Sequence, residues 1–216
     1  MKHLSLAFIF ILVTTVLAQA ALSVENKQTE YAGMPTYDDK LESLRAKVRD
    51  NVDSADARFE LARALSFPGH YDEALEHFQQ ALRLNPSSAE TYFFLGIAYS
   101  DLDRPVEEIE AYNRAVEINP GYYTAHFNSG LVYDELGRHE EAIEAYKRAA
   151  QTNDSTDNGY DYLYLAQDFL RLGRNKEARK AFKTAVQKRP DLKKTEIWRL
   201  TLTPGLDSNL LLSLMN

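Results

Sequence analysis

The chain has 216 residues and a formal net charge of −7; 44% of its residues are hydrophobic and 26% are charged, which is typical of a folded soluble protein. The absence of cysteine excludes disulfide bonds, thiolate zinc sites, cysteine nucleophiles and lipid-modified cysteines. The acidic charge argues against a nucleic-acid-binding protein, because such proteins neutralise phosphates with basic side chains.

The N-terminus has the order of a secretory signal peptide. Lys2 precedes an uncharged apolar run from Leu4 to Leu17, and Ala18 and Ala20 supply small residues after it. The run is shorter than the roughly 20 residues that a membrane-spanning helix needs. We expect residues 1–20 to be removed near Ala20, which would leave the protein in the periplasm or outside the cell. An uncleaved N-terminal membrane anchor is the alternative.

Two segments precede the periodic part of the chain. Residues 21–37 show no hydrophobic periodicity, which predicts a flexible linker. Residues 38–52 place Leu41, Leu44 and Val48 on one helical stripe. This stripe predicts an N-terminal capping helix that covers the open end of the array that follows.

The middle of the chain repeats with a period of 34 residues. Pro86 and Pro120 are separated by this interval, and so are Phe78, Tyr112 and Tyr146. A shift of 36 residues continues the register into the last unit. Periods of this size indicate stacked supersecondary units. Four units are predicted: residues 55–88, 89–122, 123–156 and 159–192.

Each unit predicts two helices joined by a tight turn. Turns such as "ELGRHEEA" and "RLGRNKEA" place glycine after one helix and acids at the start of the next. Small residues recur on both helices, so the helices can approach closely while aromatic rings fill the remaining space. They are Ala62, Gly96, Gly130 and Ala166 on the first helices, and Ala74, Ala142 and Ala178 on the second. Glu108 replaces this alanine in the second unit, which predicts looser packing there.

The combined pattern resembles the tetratricopeptide repeat: W/Y-x-x-L-G-x-x-Y, then A-x-x-x-F/Y-x-x-A, then proline. The second unit reads "YFFLGIAY…EEIEAYNRAVEINP" and the fourth reads "YLYLAQDF…EARKAFKTAVQKRP". The four units cover about two-thirds of the chain. The resemblance implies an all-α fold, a right-handed superhelical solenoid of helix-turn-helix hairpins with a concave binding face.

In this family the first helix of each hairpin lines the concave face. The residues that the resemblance assigns to that face are mostly apolar here. They are Phe59, Arg63, Phe93, Ile97, Phe127, Asn128, Leu131, Leu163 and Gln167. Such a row favours a non-enzymatic adaptor that holds an apolar peptide segment and aids the assembly or stability of an envelope or secreted complex. The alternative for each ring is packing between neighbouring repeats.

Charge is unevenly distributed along the chain. Residues 21–167 have a net charge of −14, and residues 168–199 have a net charge of +7. The cations at the basic end include Arg171, Arg174, Lys176, Arg179, Lys180 and Lys183. Solvated surface charge accounts for them; docking to an anionic partner or surface, or self-association of oppositely charged ends, is the functional alternative.

Residues 193–216 predict a C-terminal capping helix, which contains Trp198, and an apolar tail. The tail either covers the array or docks to a partner. A self-associating scaffold that uses this tail or the charged ends is the second functional hypothesis.

No pattern in the chain indicates catalysis, a cofactor or a metal. The histidines form no H-x-x-x-H pair and none stands at ligand spacing from a carboxylate; no glycine-rich phosphate loop occurs. Ser129 does not lie in a G-x-S-x-G motif. The sequence therefore predicts no catalytic residue, no cofactor and no metal ligand.

Overall fold

The computed structural model describes residues 36–67, 69–152 and 159–192. The predicted signal peptide, nearly all of the linker, and the predicted C-terminal cap and tail lie outside these residues. None of the helices in the described ranges is long and apolar enough to span a membrane. The described residues fall into two units, which divide between Ser43 and Leu44.

The boundary between the units falls inside the first described helix, α1 (Tyr37–Asp50). This helix begins one residue earlier than the predicted capping helix and ends two residues earlier. Its start is a reciprocal cap, because the Thr36 N–H donates to Asp39 Oδ2 at 2.9 Å and the Asp39 N–H donates to Thr36 Oγ1 at 3.1 Å. A capping role for α1 stays a prediction.

The described part of the second unit contains eight further helices that form four hairpins, numbered 1 to 4 in chain order. They are α2 (Ala55–Ser66), α3 (Tyr71–Leu84), α4 (Ala89–Asp101), α5 (Pro105–Ile118), α6 (Tyr123–Glu135), α7 (His139–Thr152), α8 (Gly159–Arg171) and α9 (Asn175–Lys188). Each predicted unit begins at the first residue of a helix. Consecutive helices contact one another along the series, and α2 also contacts α4. The expected all-α solenoid is confirmed.

Local sequence sets where these helices begin and end. Ser54 and Ser88 precede α2 and α4, and each side-chain oxygen accepts a backbone N–H of the first turn. The turns of hairpins 3 and 4 need a left-handed residue, which Gly137 and Gly173 supply at φ +70°. Asp103 adopts φ +54° at the matching place in hairpin 2, a conformation that aspartate tolerates better than most residues.

An aromatic ring packs against a glycine inside each of the two central hairpins. A Cβ atom added to Gly96 would lie 2.5 Å from Tyr112 Cε1, and one added to Gly130 would lie 2.5 Å from Tyr146 Cε1. Both rings are buried. Since the rings cannot move aside, only glycine permits this helix separation.

Glu108 is buried in hairpin 2, at 6% exposure, where the other hairpins have alanine. It lines the same pocket as Ser100 and Tyr112, and burial raises its pKa above the usual value. A pocket of about 240 Å³ borders it. This pocket also borders Asn128 and Leu131 of hairpin 3, so it lies between hairpins, and the looser packing expected inside hairpin 2 stays a prediction.

Gly96→Ala is expected to destabilise the protein. Alanine adds about 1 kcal/mol of helix propensity, but overpacking against the fixed Tyr112 ring costs about 1–3 kcal/mol. Urea unfolding should therefore give a lower midpoint for Gly96→Ala. Adding Tyr112→Phe should recover part of the loss, because hairpins 1 and 4 carry alanine and phenylalanine in these columns: Ala62 with Phe78, and Ala166 with Phe182. A midpoint equal to that of the wild type would contradict the claim that the Tyr112 ring leaves no room for a Cβ atom at position 96.

Glu108→Gln is expected to stabilise the protein at neutral pH. Because the native pKa of Glu108 is raised, its contribution to stability is greatest at acidic pH and is lost as the pH rises through that value. The difference in Tm between Glu108→Gln and wild type should grow from pH 4 to pH 7. Glu110→Gln, on an exposed position of the same helix, is the matched control and should show no such trend. A difference independent of pH would exclude Glu108 as the cause.

Candidate functional site

Two of the predicted binding residues, Phe59 and Phe93, join neighbouring hairpins. The ring centroid of Phe59 lies 5.6 Å from that of Phe94 in the next hairpin. Phe93 lies 5.8 Å from Tyr112 of its own hairpin and 5.1 Å from Tyr122 in the turn before α6. Both phenylalanines are half-buried. Each ring therefore packs between repeats and still presents part of its surface to solvent.

Phe127 repeats this arrangement, but Leu163 does not. The Phe127 ring lies 5.6 Å from Tyr146 and 5.4 Å from Tyr164 of the next hairpin, and it is half-buried. Leu163 is 1% exposed and belongs to the core of hairpins 3 and 4. Its predicted exposure on the concave face is wrong, because Leu163 packs into the apolar core that these two hairpins share.

The first of two adjoining pockets lies between hairpins 1 and 2 and has a volume of about 270 Å³. It is lined by Arg63, Ser66, Phe67, Tyr71, Phe94, Ile97 and Asp101. Phe67 is 88% exposed, which is unusual for a phenylalanine. The Arg63 guanidinium lies over the rings of Phe59 and Phe94, at 5.6 and 5.9 Å from their centroids.

The second pocket is the one that borders Glu108, and it shares Ile97 and Asp101 with the first. It is lined by Ile97, Ser100, Asp101, Glu108, Tyr112, Asn128, Leu131, Val132 and Glu135. The Asn128 Nδ2 donates to the Tyr112 hydroxyl at 3.4 Å. The two pockets together, called the groove below, run across the first helices α2, α4 and α6.

Four of the nine predicted binding residues therefore line the groove: Arg63, Ile97, Asn128 and Leu131. Phe59, Phe93 and Phe127 pack beside it without lining either pocket. Gln167 is half-buried on α8 and lines neither pocket. A separate cavity of about 380 Å³ between hairpins 2 and 3 contains none of the predicted residues.

The groove also contains residues that the sequence analysis missed. Phe67, Asp101 and Glu135 stand 34 residues apart, one helical turn after Arg63, Ile97 and Leu131. Positions i and i+4 lie on the same face of a helix. Extending the predicted column by one turn would have found all three.

The basic end of the array is partly neutralised within the chain. Arg174 pairs with Glu140 at 3.0 Å, and Arg171 contacts Asp168 at 3.1 Å. The other predicted cations, Lys176, Arg179, Lys180 and Lys183, are exposed on α9. These four cations of α9 are therefore at the surface.

One histidine does lie beside carboxylates, contrary to the sequence analysis. His139 Nδ1 lies 3.1 Å from Oδ1 of Asp134 and 3.1 Å from Oδ1 of Asp168. Arg171 bonds to both of these oxygens. Burial, and then the neighbouring Asp134, raise the pKa of Asp168 above its usual value. Asp168 is 29 residues from His139, so no local motif could have revealed this cluster.

The chain matches family models of the tetratricopeptide repeat over residues 68–123, 123–155 and 162–191. The matches follow hairpins 1 to 4 and together span more than half of the chain. Among curated protein sequences, none matches it.

Solved structures of repeat proteins share the fold. A MamA crystal structure is 26% identical, with a TM-score of 0.67 over 76% of this chain and 95% of that one. MamA from Desulfovibrio magneticus RS-1 is 19% identical, with a TM-score of 0.64 over 77% of this chain and 93% of that one. YrrB, described as a TPR protein with an unusual peptide-binding site, is 18% identical, with a TM-score of 0.65 over 81% and 89% of the two chains.

The period, the hairpins and the matches agree along the array. Folds of this kind serve as protein–protein interaction adaptors. The chain belongs to the tetratricopeptide repeat family.

Proposed function

We propose that the protein is a non-enzymatic adaptor that binds an extended or helical peptide segment in the groove. The observation that carries this proposal is the pair of adjoining pockets on α2, α4 and α6, because one continuous surface offers both apolar and charged contacts. Peptide recognition by a groove of this kind depends on the burial of a few anchor side chains.

The first pocket favours an apolar anchor. Phe67, Phe94 and Ile97 contribute apolar surface there, and Phe67 is largely open to solvent. An apolar side chain of the partner would cover these groups and remove their surface from water. Anchor burial of this kind supplies most of the affinity in such complexes.

The second pocket favours a basic side chain next to that anchor. Asp101, Glu108 and Glu135 all line it, and Asn128 adds a polar contact. A lysine or arginine of the partner would neutralise this charge and relieve the repulsion among the three carboxylates. The partner segment is therefore apolar with an adjacent basic residue.

We also propose that the protein is exported and aids the assembly or stability of an envelope or secreted complex. The order of charge, apolar run and small residues in residues 1–20 supports export. N-terminal sequencing of the protein from its native cells should find a chain that begins near residue 21. A chain that begins at Met1 would favour the membrane anchor instead.

Self-association through the basic end is the second candidate. The exposed cations of α9 support it, since an acidic part of a second copy, or another anionic surface, could pair with them. Size-exclusion chromatography should then show a dimer at low salt and a monomer at high salt, and Lys180→Glu with Lys183→Glu should abolish the dimer. A monomer under both conditions would rule this candidate out.

The groove is tested with peptides selected from a random library displayed on phage. Selected peptides should contain an apolar residue beside a lysine or arginine. Phe67→Ser should lower the affinity for the best synthetic peptide at least tenfold, as measured by fluorescence anisotropy, because it removes apolar contact. A tenfold loss corresponds to about 1.4 kcal/mol of binding free energy. Glu135→Lys should weaken it by repulsion of the basic side chain.

Two surface changes outside the groove serve as matched controls. Val106→Ser removes a 63% exposed apolar residue of α5, and Glu110→Lys reverses an exposed charge on the same helix. Both should leave peptide affinity unchanged. If the groove variants and the controls bind the peptide equally well, the groove is not the binding site.

A further inference from the structure

The junction of hairpins 3 and 4 contains a polar cluster of four side chains. Asp134 comes from the end of α6, His139 from the start of α7, and Asp168 and Arg171 from α8. His139 Nδ1 faces Oδ1 of both aspartates at 3.1 Å, and Arg171 Nη1 contacts the same two oxygens. Three helices thus converge on one point.

Asp168 departs from the repeat pattern. The equivalent positions are occupied by Ala98 in hairpin 2 and Val132 in hairpin 3, which are both buried apolar residues. The Asp168 side chain is 1% exposed. Burial of an ionised carboxylate is unfavourable unless nearby cations or hydrogen-bond donors compensate it. The position therefore demands a compensating group that hairpins 2 and 3 do not need.

The donors in the cluster do not satisfy its acceptors. Two carboxylates share a single Nδ1–H of His139 and the N–H groups of Arg171. Within the described part of the chain, the buried Asp168 Oδ2 has no hydrogen-bond partner, and neither does the buried hydroxyl of Tyr146. A buried oxygen left in this state needs an explanation, and an ion that Asp168 binds through both carboxylate oxygens would supply one.

We propose that Asp134, His139 and Asp168 form a binding site for a divalent transition metal of the zinc class. The three ligand atoms lie within 4.8 Å of one another. Zinc–ligand bonds of about 2.0–2.2 Å in a tetrahedral site place ligand atoms about 3.4 Å apart. The observed separations of 3.1 Å between His139 Nδ1 and each Oδ1 are close to this value.

The ligand types favour zinc over the alkaline-earth ions. Imidazole suits Zn²⁺ and its neighbours, whereas Mg²⁺ and Ca²⁺ prefer sites made only of oxygen. Three protein ligands leave a fourth position for water. Without metal, the Arg171 guanidinium supplies the positive charge beside the two aspartates. Its side chain is 34% exposed, so it can turn towards solvent when the metal binds. The metal would then join the third and fourth hairpins.

The test uses the tag-free, full-length protein. Isothermal titration with ZnCl₂ should show one site, and the same titration with MgCl₂ should show no comparable binding. Zinc at 100 times its Kd should raise the Tm by about 5 °C or more, because it binds only the folded junction. Absence of zinc binding, or equal binding of magnesium, would overturn the proposal.

Two variants with opposite expected effects locate the site. His139→Ala should weaken zinc binding about 100-fold or more, because it removes one of three ligands. Arg171→Gln should strengthen it about tenfold, because it removes the competing cation. His70→Ala is the matched control, since His70 is exposed in the corresponding turn of hairpin 1, and should leave the affinity unchanged.

The zinc affinities of these variants decide whether the cluster is the metal site. Circular dichroism checks that both variants are folded. If His139→Ala does not fold, Arg171→Gln still tests the site independently. Unchanged zinc affinity in folded His139→Ala would place the metal elsewhere. Weaker binding in Arg171→Gln would show that the cluster is a structural ion-pair network and not a metal site.

Discussion

The close contact of an aromatic ring with a glycine determines the rest of this structure. Tyr112 lies against Gly96, and this contact fixes how near the two helices of hairpin 2 stand. The same ring also contacts Phe93, at 5.8 Å, on the face of the first helices. In hairpin 3, the Tyr146 ring likewise contacts Phe127, with 5.6 Å between the ring centroids. The packing inside each of the two central hairpins therefore sets the positions of Phe93 and Phe127 beside the groove.

Repetition made the fold predictable from the sequence. One period recurring at many positions identifies every hairpin at once, and the observed helices begin where the predicted units begin. The binding face was only partly predictable. The column of Phe59 and Phe93 gives the direction of a side chain, but exposure also depends on its neighbours, which is why Leu163 is buried. The groove extends one turn further than the predicted columns, to Phe67 and Glu135.

Charged groups inside the array were the least predictable features. Glu108 looked like a packing defect in the sequence, and the structure places it in the wall of a pocket together with Ser100 and Tyr112. His139 and Asp168 belong to different hairpins, so their contact depends on how one hairpin stacks on the next. Local spacing carries no information about such a contact. A repeat-by-repeat alignment does give one signal, an aspartate in a column of apolar residues.

The two pockets share a wall made of Ile97 and Asp101. A side chain that shifts Ile97 on entering one pocket necessarily reshapes the other. The two halves of the segment proposed to bind there would therefore be energetically coupled, and the contributions of its neighbouring anchor residues would not be additive. Selectivity in such a surface would reside in pairs of adjacent side chains rather than in single ones.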